Sequence, residues 1–130
     1  MGIKYLWDTN TAIYYLQQHF PLKAEQFMDE SLQEGPPCIS AITEIELLCW
    51  KTATEKDLEV LHQFIHDAYV IELEPSIKLK TAEIRKQYKI KLPDAIIAAT
   101  ALVYGLVLIT RNTKDFGLVP ELQVFDPYSL

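Results

Sequence analysis

Apolar residues along this chain alternate between short dense runs and longer stretches of helical period, with proline, glycine and polar breaks between them. The first run, Ile3-Lys4-Tyr5-Leu6-Trp7, is rich in β-formers and ends at Asp8. Thr9 and Asn10 then offer caps for a helix through Ala12-Ile13-Tyr14-Tyr15-Leu16. After Pro21, the residues Ala24, Phe27, Met28, Ser31 and Leu32 recur at helical spacing until Gly35-Pro36-Pro37 stops them. Residues 38–42 form a short apolar strand. Thr43-x-x-Glu46 has the spacing of a capping box and predicts a helix over 43–50, and Thr54-x-x-Asp57 starts another with Leu58, Leu61, Ile65 and Ala68 on one face.

Residues 69–73 are a third strand, closed by Pro75. Residues 76–88 carry Ile77, Ile84 and Tyr88 along one stripe, so they predict an amphipathic helix whose other side is basic. Pro93 suits a helix's first turn, and residues 95–104 are apolar nearly all round before Gly105, which places that helix inside the core. Residues 106–110 and 123–125 complete the strands. Strands alternating with helices predict an α/β fold: a three-layer α/β/α sandwich around a mainly parallel, five-stranded sheet, in one domain over 1–130.

At 130 residues and 49% hydrophobic content the chain can bury one core. The longest apolar run, residues 95–108, is broken by Thr100, Tyr104 and Gly105 and is too short for a bilayer span, so no membrane partner is expected. The N-terminus has no basic segment followed by an apolar stretch, and a cytoplasmic location is expected. Cys38 and Cys49 lack zinc-site spacing and are expected to be buried free thiols. A net charge of −6 argues against coating nucleic acid by charge alone. The charge is uneven, however, because six of the twelve bases (Lys78, Lys80, Arg85, Lys86, Lys89 and Lys91) lie within one short stretch.

In parallel α/β sheets functional groups gather at the carboxyl edge of the strands. Asp8 ends the first strand, Glu46 lies early in the helix after the second, Asp94 opens the buried helix that runs back before the fourth, and Asp115 follows the fourth. Each has a plain structural role open to it: helix cap, capping-box partner, dipole partner and solvated loop acid respectively. Together they predict four carboxylates on one rim. Such carboxylates repel one another unless a cation neutralises them, and hard oxygen ligands without His or Cys select Mg²⁺ or Mn²⁺. A site of that kind can stabilise charge on a phosphate oxygen and activate water, which makes a phosphodiester the natural substrate.

Four blocks carry a family resemblance. Tyr5-Leu6-Trp7-Asp8-Thr9-Asn10 resembles the opening of PIN domains, and Ser40-x-x-Thr43-x-x-Glu46-Leu47 resembles their second block. Leu92-Pro93-Asp94-Ala95-Ile96-Ile97-Ala98-Ala99 and Ile109-Thr110-Arg111-Asn112-Thr113-Lys114-Asp115-Phe116 are similar to the later blocks of VapC toxins. The resemblance implies a metal-dependent endoribonuclease of a toxin–antitoxin pair, with metal-binding acids at Asp8, Glu46, Asp94 and Asp115. It also implies an RNA substrate, a small antitoxin partner and a homodimer. Thr9, Asn10, Ser40, Thr110 and Asn112 are candidates to orient the acids or the substrate, and Arg85 with its basic neighbours to hold an RNA backbone. Trp50 departs from the small residue common at its place in the family. Tyr14, Tyr15 and Phe20 either line a groove for an antitoxin helix or belong to the core. The competing reading is a PIN-like module that binds RNA or protein without cutting. A haloacid-dehalogenase-type phosphatase is disfavoured, because Asn10 stands where that chemistry wants a second acid.

Overall fold

The structure is a computed structural model that describes residues 4–130. Ile3, the first residue of the predicted opening strand, lies outside the described residues. Among the described residues five strands are present: β1 (Tyr5–Trp7), β2 (Cys38–Ser40), β3 (Tyr69–Ile71), β4 (Val107–Ile109) and β5 (Val124–Phe125). Every hydrogen-bonded strand pair is parallel, with Leu6 opposite Leu108, Ile39 opposite Val70, and Leu108 opposite Val124. The strands bond in two groups, β1-β4-β5 and β2-β3, with β2 packed beside β1.

Side chains alternate across the strands as the period of two requires. Leu6, Cys38, Ile71 and Leu108 point into one core, and Trp7, Ile39 and Ile109 into the other. The first core is closed by α5 (Pro75–Gln87) and α6 (Leu92–Tyr104), which pack closely on each other. The second is closed by α1 (Thr9–Leu16), α2 (Leu22–Glu34) and α4 (Glu55–Asp67). Helix α3 (Ala41–Leu48) reaches both cores, through Ile42 and Leu47. The α/β/α layering follows, and α6 is buried over most of residues 95–101, while Leu92, Val103 and Tyr104 at its ends are exposed. Gly105 ends α6 with φ +65°, a left-handed cap in which a Cβ would be strained.

Several local readings shift. Helix α3 begins at Ala41, not Thr43, because Ser40 Oγ accepts the Thr43 N–H at 3.2 Å and takes the cap. The expected Thr43–Glu46 capping box therefore does not form, and β2 is two residues shorter than predicted. The box does form one helix later, where Thr54 and Asp57 bond reciprocally at the start of α4. Thr54→Ala is expected to cost about 1 kcal/mol, a melting-temperature drop of a few degrees, without affecting the four acids, to which neither Thr54 nor Asp57 is hydrogen-bonded. Asp115, expected in a loop, lies in a one-turn helix, α7 (Thr113–Phe116). Cys38 is buried and its thiol is pushed up to about 12 by desolvation, whereas Cys49 is exposed just past the end of α3, contrary to expectation. Phe20 is buried, and Tyr14 and Tyr15 pack against the second core. Among the described residues no helix is long and apolar enough to cross a membrane.

Candidate active site

The carboxyl ends of β1, β2 and β4 meet at one edge of the fold, and hydrogen bonds tie them together there. Asp8 stands at the end of β1 and caps α1 by accepting the Thr11 N–H at 2.8 Å on Oδ1. Its Oδ2 accepts the Thr110 hydroxyl from the end of β4 at 2.5 Å. The cap and the site residue are thus the same side chain. Asp8 is 6% exposed, and burial pushes its carboxyl upward against the pull of the Thr110 and Thr11 hydrogen bonds, with the charge of Glu46 adding to the rise.

Glu46 projects from α3 toward the end of β1, where the Thr9 hydroxyl lies 2.6 Å from its Oε1 and 3.1 Å from Thr43 Oγ1. Having one proton, Thr9 gives it to the carboxylate. Ser40 bonds Thr43 in turn, so the half-buried Thr9 and the buried Thr43 and Ser40 form a hydroxyl chain that fixes Glu46. Asp94 opens α6 with no hydrogen-bond partner for its side chain among the described residues. Burial raises its carboxyl, followed by the charges of Asp115, Glu46 and Asp8, with Lys91 opposing. Asp115 is held from α7 by Asn112, which donates Nδ2–H to Oδ2 at 3.1 Å and accepts the Asp115 N–H. Asn112 is itself anchored, since its backbone N–H donates to Thr110 Oγ1 at 2.9 Å.

The four predicted acids therefore act on one another electrostatically at one rim. None is neutralised by an ion pair among the described residues. As they stand they do not enclose an ion: no three acid, histidine or cysteine side chains among the described residues are gathered tightly enough. Glu46 is bonded to Thr9, and Asp115 to Asn112. A donor set of unpaired, mutually repelling carboxylates nonetheless fits a divalent cation, which would draw them inward.

Asn10 is exposed at the mouth, in a cleft of about 250 Å³ lined by Asp8, Asn10, Tyr14, Arg111 and Asn112. Arg85 is elsewhere. It lines a larger groove of about 610 Å³ between α5 and α6 with Lys78, Lys86, Leu92 and Ile96. Asp94 projects about 200° around α6 from Leu92, so the basic groove and the acidic rim lie on different flanks of that helix. Thr11, Thr43 and Arg111 belong to the site neighbourhood and are not among the site residues the sequence predicts. Thr11 had a signal in the three-residue spacing from Asp8 that an aspartate cap uses, and Arg111 sits inside a recognised block.

The PIN domain family model matches residues 5–122. The tRNA(fMet)-specific endonuclease VapC of Salmonella typhimurium is 30% identical, the match covering 95% of this chain and 98% of that protein. Ribonuclease VapC2 of Haemophilus influenzae is 30% identical over 93% of this chain and 96% of its own length. Among solved structures, DNA-bound VapBC from Salmonella typhimurium superposes with a TM-score of 0.82 at 28% identity, covering 97% of this chain and 99% of that one. A toxin-antitoxin complex from Klebsiella pneumoniae gives 0.73 at 33% identity, with 96% and 98% covered. A family match over nearly the whole length, on a fold whose parallel strands bring the four acids within that span to one edge, means that this chain belongs to the PIN domain family.

Proposed function

We propose that this protein is a divalent-metal-dependent endoribonuclease, the toxin of a toxin–antitoxin pair, in which Asp8, Glu46, Asp94 and Asp115 hold Mg²⁺ or Mn²⁺. The observation that carries the reading is the rim itself: four carboxylates from four elements, without an ion pair among the described residues, with Asp8 pushed upward by burial and by Glu46, and Asp94 by burial and by Asp115, Glu46 and Asp8. An arrangement that costs stability in the absence of a ligand supports one whose charge would repay it. A divalent cation supplies charge to a phosphodiester oxygen and acidifies water. The chain's own residues do the placing. Thr110 and the Thr11 N–H aim both Asp8 oxygens, Thr9 holds Glu46, and Asn112 holds Asp115.

The names of the relatives support RNA as substrate, with tRNA(fMet) as the first to try, and their structures as complexes support a small antitoxin partner. Arg85 and the groove beside it are proposed to hold RNA outside the cleft, since they flank the rim without entering it. The test is cleavage of a tRNA(fMet) transcript and of total tRNA by the purified chain with Mg²⁺ or Mn²⁺, and again after chelation. Site-specific cleavage that chelator abolishes is the expected result, together with a rise in melting temperature on adding Mn²⁺. Binding of tRNA without cleavage, and no metal-dependent shift, would leave a non-catalytic PIN module instead.

A further inference from the structure

The acidic rim has a charge problem of its own. An RNA strand entering the cleft brings a phosphate for every nucleotide, and the wall it meets carries Asp8. One cation lines that cleft, Arg111, the residue after Thr110 at the end of β4. It is exposed and makes no ion pair among the described residues, despite the acids nearby. Its guanidinium carbon lies instead 3.6 Å from the ring centroid of Tyr128 and 6.0 Å from that of Tyr14. Tyr128 is fixed from several sides: its hydroxyl donates to His19 O at 3.1 Å, its N–H donates to Asp126 Oδ1 at 2.9 Å, and its ring packs on Phe20 at 5.3 Å. The turn Pro127–Ser129 that carries it rests on α2.

Stacking occupies the flat face of a guanidinium and leaves its N–H edge free, which is the edge that binds a phosphate through two parallel hydrogen bonds. A side chain parked on a rigid ring also loses less freedom when it binds. We propose that Arg111, held on Tyr128, binds an RNA phosphate next to the one at the acidic rim and so fixes the register of the strand in the cleft. The proposal rests on the nuclease reading. The basic residues of α5 do not serve this purpose, because their groove opens on the other flank of α6.

The test compares wild type, Arg111→Ala, Arg111→Lys and Tyr128→Leu in steady-state cleavage of a tRNA(fMet) transcript with Mn²⁺. Binding of the same RNA across a salt series is measured in an Asp94→Asn background. Arg111→Ala is expected to raise KM about tenfold with kcat within about twofold, and to lower the slope of log affinity against log salt by roughly one contact's worth. Arg111→Lys keeps the charge but not the bidentate edge and should fall between. Tyr128→Leu should raise KM less, and add nothing once Arg111 is gone. Unchanged KM and salt slope in Arg111→Ala, or a fall in kcat alone, overturns the assignment while leaving the nuclease standing. So does an Arg111→Ala protein that cleaves normally but no longer binds its antitoxin, since Arg111 would then face a protein partner. A wild type that neither binds nor cleaves RNA overturns both readings together.

Discussion

Asp94→Asn should leave a folded protein that no longer cleaves RNA, no longer melts higher on addition of Mn²⁺, and melts higher than wild type when metal is removed. The three outcomes share one cause. The Asp94 carboxyl is pushed above its ordinary 3.8 by burial and by the charges of Asp115, Glu46 and Asp8, so its ionised form is a burden on the metal-free fold. For an acid whose folded pKa is raised, the folded state holds the proton more tightly than the unfolded one. The burden is therefore present in full above the folded pKa, shrinks as pH falls through it, and is gone below 3.8. Because the side chain makes no hydrogen bond among the described residues, the amide removes a charge without orphaning a partner. A rise of roughly 2–4 °C at neutral pH in chelator is expected, flattening toward wild type as the solution is acidified. Activity should fall by at least about a thousandfold, since one of the carboxylates proposed to hold the cation is lost. Cleavage at anything near the wild-type rate would remove Asp94 from the site, and a lower metal-free melting temperature would show that the acids do not repel as described.

Much of this arrangement is legible in the chain itself. Asp8 and Asp94 are legible because each sits at a boundary the pattern marks strongly, the end of a dense β run and the first turn of a helix apolar on every side. Their distance in sequence does not hide them, since parallel topology alone returns both to the same edge. Boundaries inside the second block were harder. Ser40-x-x-Thr43 and Thr43-x-x-Glu46 are both plausible caps, and what decides between them is the pairing of β2 with β3, which ends at Ser40 opposite Ile71. Local spacing carries no information about that partner. Helix α7 is a single turn, too short to show a period, so Asp115 looked like a loop acid although Asn112 caps it. The pairing of Arg111 with Tyr128 is set by tertiary packing of the last turn on α2, and no periodicity announces it. The place of Arg85 is not legible for the complementary reason: charge clustering identifies a basic face but not which flank of its neighbour that face overlooks.

Thr110 is the residue through which the rim is most sensitive to a change that removes no charge. Its hydroxyl gives its proton to Asp8 Oδ2 and takes the Asn112 N–H, so one oxygen links the acid of β1 to the residue that positions Asp115. Valine has nearly the same shape and neither capability. In Thr110→Val the ionised form of Asp8 loses the strongest of the hydrogen bonds that oppose its desolvation, and its raised pKa rises further. The Asn112 N–H is left without its partner at the same time, for a combined stability cost of about 1–3 kcal/mol. The deficit should be largest above the folded pKa of Asp8, where the carboxylate must be charged, and should narrow as pH falls and the carboxyl is protonated in both proteins. Under the proposed metal role, affinity for Mn²⁺ should drop by about 10–100-fold and the acidic limb of the cleavage rate should move to higher pH, because the cation competes with a proton that is now held more tightly. Thr110→Ser restores the hydroxyl and should recover both the limb and the affinity, although it loses the buried methyl. If Thr110→Val were merely unstable, with its acidic limb and Mn²⁺ affinity unmoved and serine no better than valine, the hydroxyl would be a packing feature of β4 and Asp8 would be tuned by its burial alone.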